Sequence, residues 1–156
     1  MRARDSFGGL LGALACIGFC LDTAIAVEIN GFWLTEDGEA VIEMLDCNPP
    51  SQRCGRIVWL KKPHGDDGKP LTDAHNPDAA QQKRPVCNMP VVLGLIEQAD
   101  GTWDKGSGYD PDDGKKYTVA AELLGPDKLS FSGYVGIKLI GRKETWTRAP
   151  DKLRGC

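Results

Sequence analysis

Short segments in which apolar and polar residues alternate recur along the chain. In residues 129–139, an apolar side chain or glycine stands at every second position. Residues 116–124 alternate in the same way and place Tyr117 and Val119 on one face. A period of two residues is typical of a half-buried β-strand. The chain is predicted to form strands over residues 30–35, 39–45, 55–61, 91–97, 103–109, 116–124, 129–139 and 144–148.

Turn-forming residues separate these strands. Asp37-Gly38 and Asp100-Gly101 favour tight hairpin turns, and the chain contains 19 Gly and 10 Pro. We therefore predict an all-β fold, a single closed antiparallel barrel of about eight strands, because closure removes exposed sheet edges. A two-sheet β-sandwich is the alternative.

The third and fourth predicted strands are separated by a long insertion, residues 63–90. Within it, residues 76–84 are predicted to form one short helix. Asn76 suits the position before the helix, and Pro77 suits its first position. Lys83 would lie near the C-terminal end of the helix, where its positive charge meets the negative end of the helix dipole. A loop of this length in a compact domain usually has a function, and it could cover one end of the barrel.

Length and charge exclude several classes of protein. The chain has 156 residues, 41% of them hydrophobic and 26% charged, with a formal net charge of −3. This composition indicates one folded domain. It argues against a multi-domain enzyme, a long coiled coil and a basic nucleic-acid-binding protein, which needs clustered Lys and Arg.

The first 26 residues are predicted to be a secretory signal peptide. Arg2 and Arg4 precede an uncharged stretch over residues 8–21, and the small residues Ala24 and Ala26 suit the −3 and −1 positions of a cleavage site. The apolar stretch is short for a transmembrane helix, which needs about twenty residues. The mature protein, residues 27–156, is expected to be periplasmic or secreted, with no transmembrane segment. An uncleaved anchor and a lipoprotein modified at Cys16 are alternatives.

Four cysteines remain after cleavage: Cys47, Cys54, Cys87 and Cys156. An even number in an exported chain predicts two disulfides, for which three pairings exist. A turn-rich hexapeptide separates Cys47 from Cys54, which favours their pairing and leaves Cys87 for Cys156. A zinc site is the alternative, but the CxxC spacing of structural zinc sites is missing.

Several sequence blocks together resemble the bacterial exported domain of unknown function 2147 family. The blocks are residues 31–42, residues 54–60, Asn76-Pro77-Asp78 with Arg84-Pro85, Trp103 with residues 109–117, and Leu129 with residues 133–136 and 145–148. The resemblance covers nearly all of the mature chain. It implies a small periplasmic or secreted barrel of the calycin or lipocalin type, and it implies no established activity and no catalytic motif.

Lipocalin-type barrels open with a G-x-W strand and place an arginine of the last strand over the tryptophan ring. Gly31-Phe32-Trp33 and Arg148 occupy matching positions here. The resemblance thus implies a cation–π contact that closes the barrel. Alternatively, Trp33 is an ordinary core residue and Arg148 a surface charge.

Other candidate sites are poorly supported. His64 and His75 are the only histidines, and one histidine beside carboxylates is a poor zinc site. Residues 110–114 (DPDDG) lack the spacing of a calcium loop and suit a turn. The G-x-S-x-G nucleophile motif and the G-x-x-x-x-G-K phosphate loop are missing from the sequence. No catalytic residue, metal or cofactor is predicted.

The sequence therefore predicts a non-enzymatic barrel that binds a small apolar or amphipathic molecule. Trp59, Tyr117, Val119 and Phe131 are the candidate ligand-binding residues, expected to face the barrel interior. These side chains could instead fill that interior. A protein-binding or structural module of the cell envelope, such as an inhibitor, is the alternative function, and its protein partner is unknown.

Overall fold

Eight strands form a closed barrel in the computed structural model, which describes residues 28–156. The predicted signal peptide lies outside the described residues. Within the described part of the chain, no helix has the length and apolar character needed to span a membrane. The strands are β1 (Gly31–Leu34), β2 (Ala40–Asp46), β3 (Gln52–Leu60), β4 (Pro90–Glu97), β5 (Trp103–Asp110), β6 (Lys115–Gly125), β7 (Lys128–Tyr134) and β8 (Gly141–Arg148).

The barrel closes between its first and last strands. Trp33 pairs with Arg148, and Leu34 pairs with Thr147, in antiparallel register. Consecutive strands are antiparallel neighbours around the rest of the ring. Each of the eight strands therefore has a neighbour on both sides, which satisfies the backbone groups that an open sheet would expose. The closed barrel is confirmed, and the two-sheet sandwich is excluded.

The alternation in β6 determines which of its side chains face the interior. Val119 and Ala121 are buried, and Tyr117 and Leu123 pack against the same core. Glu122 lies on the outer face and is exposed. Burying apolar surface is favourable by about 25 cal/mol per Å², so the apolar face of the strand turns inward.

β7 ends earlier than its sequence pattern predicts. The alternation continues to residue 139, but the strand stops at Tyr134, and residues 135–140 form a loop. Gly136 has a φ of +79°, a left-handed conformation that interrupts an extended strand. β8 begins at Gly141, directly opposite Tyr134, so the hairpin needs its turn here. The prediction of one eleven-residue strand is therefore wrong beyond Tyr134.

The connection between β3 and β4, residues 61–89, is called the strap. The helix predicted for residues 76–84 does not form there, and successive turns take its place. The Asn76 side chain accepts the Asp78 N–H (2.9 Å), and the Asp78 side chain accepts the Ala80 N–H (3.0 Å). Such bonds favour turns, and a short helix gains few hydrogen bonds to offset its nucleation.

Two disulfides reinforce the barrel. Cys47 is bonded to Cys54 across the β2–β3 connection. Cys87, in the strap, is bonded to Cys156, the last residue. These are the pairings expected from the sequence. The second bond fastens the C-terminal segment to the strap.

Candidate ligand-binding cavity

The connections between strands alternate between the two ends of the barrel. The β2–β3, β4–β5 and β6–β7 connections share one end, where β1 begins and β8 finishes. Large buried side chains fill the interior near this end: Trp33, Met44, Leu95, Trp103 and Leu129. This half of the barrel, the closed end, is packed like an ordinary protein core.

The other half of the barrel is hollow. It contains a cavity of about 750 Å³. Ligand pockets commonly measure roughly 300–1,000 Å³, so the cavity has the volume for a small molecule. Its apolar wall is formed by inward-facing residues of six strands: Ile42, Ile57, Val92, Val119, Phe131 and Trp146.

Four connections surround the open end of the cavity, called the mouth. They are the β1–β2 turn, the strap, the β5–β6 turn and the β7–β8 loop. Each contributes a residue to the lining, including Asp37, Val86, Asp112 and Leu139, respectively. The long insertion noted in the sequence therefore does lie at one end of the barrel.

Three of the four predicted interior residues line the cavity. Tyr117, Val119 and Phe131 are lining residues, whereas Trp59 is not. A bulge in the β2–β3 pairing causes the difference, since Ile42 pairs with Ile57 but the preceding Val41 pairs with Trp59. Ile42 faces the cavity, so the adjacent Val41 faces the outer side of the sheet. Trp59 pairs with Val41 and therefore faces outward as well.

Trp146 is a prominent wall residue that sequence reasoning did not select. Its ring stacks on Phe131, with centroids 4.1 Å apart and planes 15° from parallel. The Trp146 Nε1–H donates to Glu144 (2.9 Å), which fixes the ring orientation. The alternation in the sequence ETWTR is short, but it places Glu144, Trp146 and Arg148 on one face.

Arg148 lies beneath the cavity, at the closed end. Its guanidinium carbon is 3.9 Å from the centroid of the Trp33 ring. The guanidinium also donates to the backbone carbonyls of Asn30 (2.8 Å), Pro126 (3.0 Å) and Glu28. One side chain thereby joins the N-terminal segment, the β6–β7 turn and the last strand. This is the contact that the G-x-W resemblance implied.

A buried carboxylate attaches the strap to the cavity wall. Asp73 is fully buried and accepts hydrogen bonds from Tyr109 (2.6 Å), Asn76 (2.7 Å) and Arg84 (2.8 Å). Burial alone would raise the pKa of Asp73, but these hydrogen bonds and the Arg84 charge lower it overall. Burial and the Asp73 charge raise the pKa of Tyr109 to about 12. Asp73 is therefore ionised and Tyr109 neutral at physiological pH.

The strap also packs closely on the β5–β6 turn. Gly114 has a φ of +68°, and a Cβ atom there would lie 1.9 Å from the His75 carbonyl oxygen. Glycine is therefore required for this approach. The His75 and His64 side chains are exposed. Residues 28–156 contain no group of three or more His, Cys, Asp or Glu residues arranged to hold a metal ion.

The mouth is strongly acidic. Its lining contains one guanidinium, Arg142, and six carboxylates: Asp37, Glu39, Asp110, Asp112, Asp113 and Glu144. Burial raises the pKa of Asp110, and the nearby negative charges of Asp113 and Asp112 raise it further. This half-buried carboxylate is thus held among like charges.

The β7–β8 loop, residues 135–140, is called the mouth loop and exposes apolar side chains. Leu139 is 94% exposed and Ile140 is 73% exposed, and both line the cavity opening. Lys138 points away toward Asp104, with which it forms a 2.6 Å salt bridge. The apolar wall of the cavity therefore continues onto the surface on one side of the mouth.

An eight-stranded barrel that is closed at one end, hollow at the other and pinned by a Trp–Arg contact has a lipocalin-like fold. A solved structure described as "Protein HP1028 from the human pathogen Helicobacter pylori belongs to the lipocalin family" shares this fold. It superposes with a TM-score of 0.68 at 22% identity, covering 81% of this chain and 86% of that one.

The family is given by the sequence match. Residues 31–148 match the family model described as "Uncharacterized protein conserved in bacteria (DUF2147)". The chain belongs to this bacterial family, as the sequence blocks indicated. No curated protein matches the chain.

Proposed function

We propose that this protein binds one small apolar or amphipathic molecule in its cavity and does not transform it. The observation that carries the proposal is the cavity of about 750 Å³ above the filled half of the barrel. Its apolar wall, with the stacked Phe131 and Trp146 rings, suits hydrocarbon or aromatic surface. Such a wall supports apolar contact, and its side chains are not acids, bases or nucleophiles.

We further propose that the protein works outside the cytoplasm, in the periplasm or the surrounding medium. The signal sequence pattern over residues 1–26 and the two disulfides support this location. The test is N-terminal sequencing of the chain expressed with its own leader and recovered from the periplasm. A mature protein beginning at Val27 is expected, and a full-length chain retained in the cytoplasm would contradict the proposal.

Ligand binding can be tested with N-phenyl-1-naphthylamine, a neutral dye that fluoresces in apolar surroundings. Gly133→Leu is the informative variant, since Gly133 lines the cavity. A Cβ atom at this position would lie 3.7 Å from Tyr117, an ordinary contact distance, so the new side chain projects into the cavity. Ser132→Leu is the matched control, because Ser132 directly precedes Gly133 in β7 and its side chain therefore points to the opposite, outer face of the strand.

The wild type and Ser132→Leu should bind the dye with similar affinity. Gly133→Leu should bind at least about tenfold more weakly, a change of roughly 1.4 kcal/mol. Equal dye binding by both folded variants would place the dye outside the cavity and refute the proposal. If Gly133→Leu alone weakens dye binding, native mass spectrometry of the wild type from its own envelope identifies the natural ligand by its added mass.

The exposed mouth loop favours a second candidate function, protein binding. Leu139 and Ile140 together form an apolar surface of the kind that partners cover. Under this alternative, Leu139→Ser with Ile140→Ser should abolish a defined complex seen by native mass spectrometry. Under the leading proposal, the wild type instead carries a small molecule.

A further inference from the structure

The cavity has two chemically distinct zones. Its deep wall is apolar, whereas its mouth contains six carboxylates and one guanidinium. A molecule that fills the cavity therefore passes from hydrocarbon contact to a negatively charged opening. This division bears on the headgroup of the ligand, a property that cavity volume does not determine.

Three of the six carboxylates already have cationic partners. Glu39 forms a 2.7 Å salt bridge with Lys61. Glu144 pairs with Arg142 at 3.0 Å, which occupies the guanidinium of the lining. The third, Asp113, lies 3.4 Å from the ammonium group of Lys115, two residues further along the chain. These pairs neutralise about half of the negative charge at the mouth.

The other three carboxylates, Asp37, Asp110 and Asp112, have no salt-bridge partner within residues 28–156. Thr35 and the backbone of Glu39 donate hydrogen bonds to Asp37, which keep it ionised. Asp110 ends β5 directly after the wall residue Tyr109, so it lies where the apolar zone meets the mouth.

A cationic headgroup would offset the negative charge of these three carboxylates. It would bring opposite charge to Asp37 on the β1–β2 turn, to Asp110 at the end of β5 and to Asp112 on the β5–β6 turn. The interaction is strengthened because the cavity walls exclude water from part of the site. An anionic headgroup would meet repulsion at the same place, since Arg142, the one lining cation among residues 28–156, is already paired with Glu144.

We propose that the ligand is a cationic amphiphile, with an amine or ammonium group at the acidic mouth and an apolar body against the wall. This inference rests on the proposed ligand-binding function and adds the charge of the headgroup. Recognition combines apolar contact in the cavity with electrostatic selection at its opening.

The experiment compares three dodecyl compounds as competitors of N-phenyl-1-naphthylamine, the two ionic compounds below their micelle concentrations and the neutral one below its solubility limit. Dodecyltrimethylammonium is the cation, dodecyl sulfate the anion and dodecanol the neutral reference. We expect the cation to displace the dye at least about tenfold more tightly than the anion, with dodecanol between them. Raising the salt concentration to about 1 M should narrow this preference by screening the exposed charges.

Charge variants locate the effect. Asp110→Asn with Asp112→Asn should reduce the preference for the cation over the anion at least about fivefold. Asp112 is an exposed turn residue, so Asp112→Asn alone gives a folded variant should the double change prevent folding. Glu97→Gln is the matched control, because it removes one carboxylate at the closed end of the barrel.

The outcomes separate the two proposals. Equal displacement by cation and anion, or tighter binding of the anion, overturns the cationic headgroup while ligand binding stands. A cation preference that survives in the mouth variants also overturns it. Failure of all three compounds and of the dye to bind the cavity refutes the proposed function itself.

Discussion

The contact between Arg148 and Trp33 joins the two strands that close the barrel, so its removal should weaken the whole fold. Arg148→Ala deletes a cation–π contact at 3.9 Å and three hydrogen bonds to backbone carbonyls. The Trp33 ring stays buried and keeps its own hydrogen bond to the Ile29 carbonyl (2.7 Å). The change therefore tests the guanidinium rather than the core tryptophan.

The expected loss follows from these contacts. A cation–π contact contributes about 0.5–2 kcal/mol, the higher values applying where it is desolvated. Hydrogen bonds from charged donors contribute about 1.5–3 kcal/mol each, but water can replace the guanidinium at carbonyls near the surface. A total of about 3 kcal/mol is expected, which lowers the melting temperature of a domain this size by roughly 10 °C.

Thermal and urea unfolding, followed by circular dichroism, measure this loss. Arg56→Ala is the matched control: Arg56 forms a surface salt bridge with Glu43 at 2.7 Å and is half exposed. Its removal should cost less than about 1 kcal/mol. Arg148→Lys should fall between the two, since lysine keeps the charge without the planar fork of donors. Equal midpoints for Arg148→Ala and Arg56→Ala would refute closure by this contact.

Two further predictions concern the strap. The pKa of Asp73 is lower in the folded protein than in the unfolded chain, where it is about 3.9. The ionised carboxylate therefore stabilises the fold fully above this unfolded pKa, and the stabilisation is lost as the pH falls through the lower folded pKa. Asp73→Asn should be less stable than wild type at pH 7, with the difference shrinking below about pH 4 in urea unfolding; a constant difference would contradict this. Replacing Cys87 and Cys156 by serine should cost about 4 kcal/mol, against about 2.5 kcal/mol for Cys47 and Cys54, because the first bond closes the longer loop. The reverse order in thermal unfolding would contradict the chain-entropy argument.

Most of the barrel could be predicted from local pattern. In β6 the alternation correctly separates the inward Val119 from the exposed Glu122. Such positions are predictable because one face of each strand must be buried, and a shift of one residue would expose it. The Asp37-Gly38 turn was also predictable from local sequence, since few residues other than glycine adopt the positive φ of Gly38.

The errors arose where partners distant in sequence decide the structure. The alternation of residues 129–139 does not reveal that Gly141 pairs with Tyr134 and forces a turn before it. The bulge that turns Trp59 away from the cavity depends on how β2 and β3 align. The missing helix has a local cause instead: residues 76–84 carry helix-like end signals, but their side chains bond to nearby backbone and to Asp73 within the strap.

The sequence by itself determined a single all-β domain, most of its turns, its disulfide partners and the family to which it belongs. These properties depend on local alternation, turn residues and cysteine spacing. Only the tertiary structure decided that half of the barrel is filled and half is hollow. It also brought the carboxylates of separate turns, such as Asp37 and Asp112, to one opening. Cavity volume and grouped charge depend on how eight strands are staggered around a ring, and that arrangement is not encoded in any one segment.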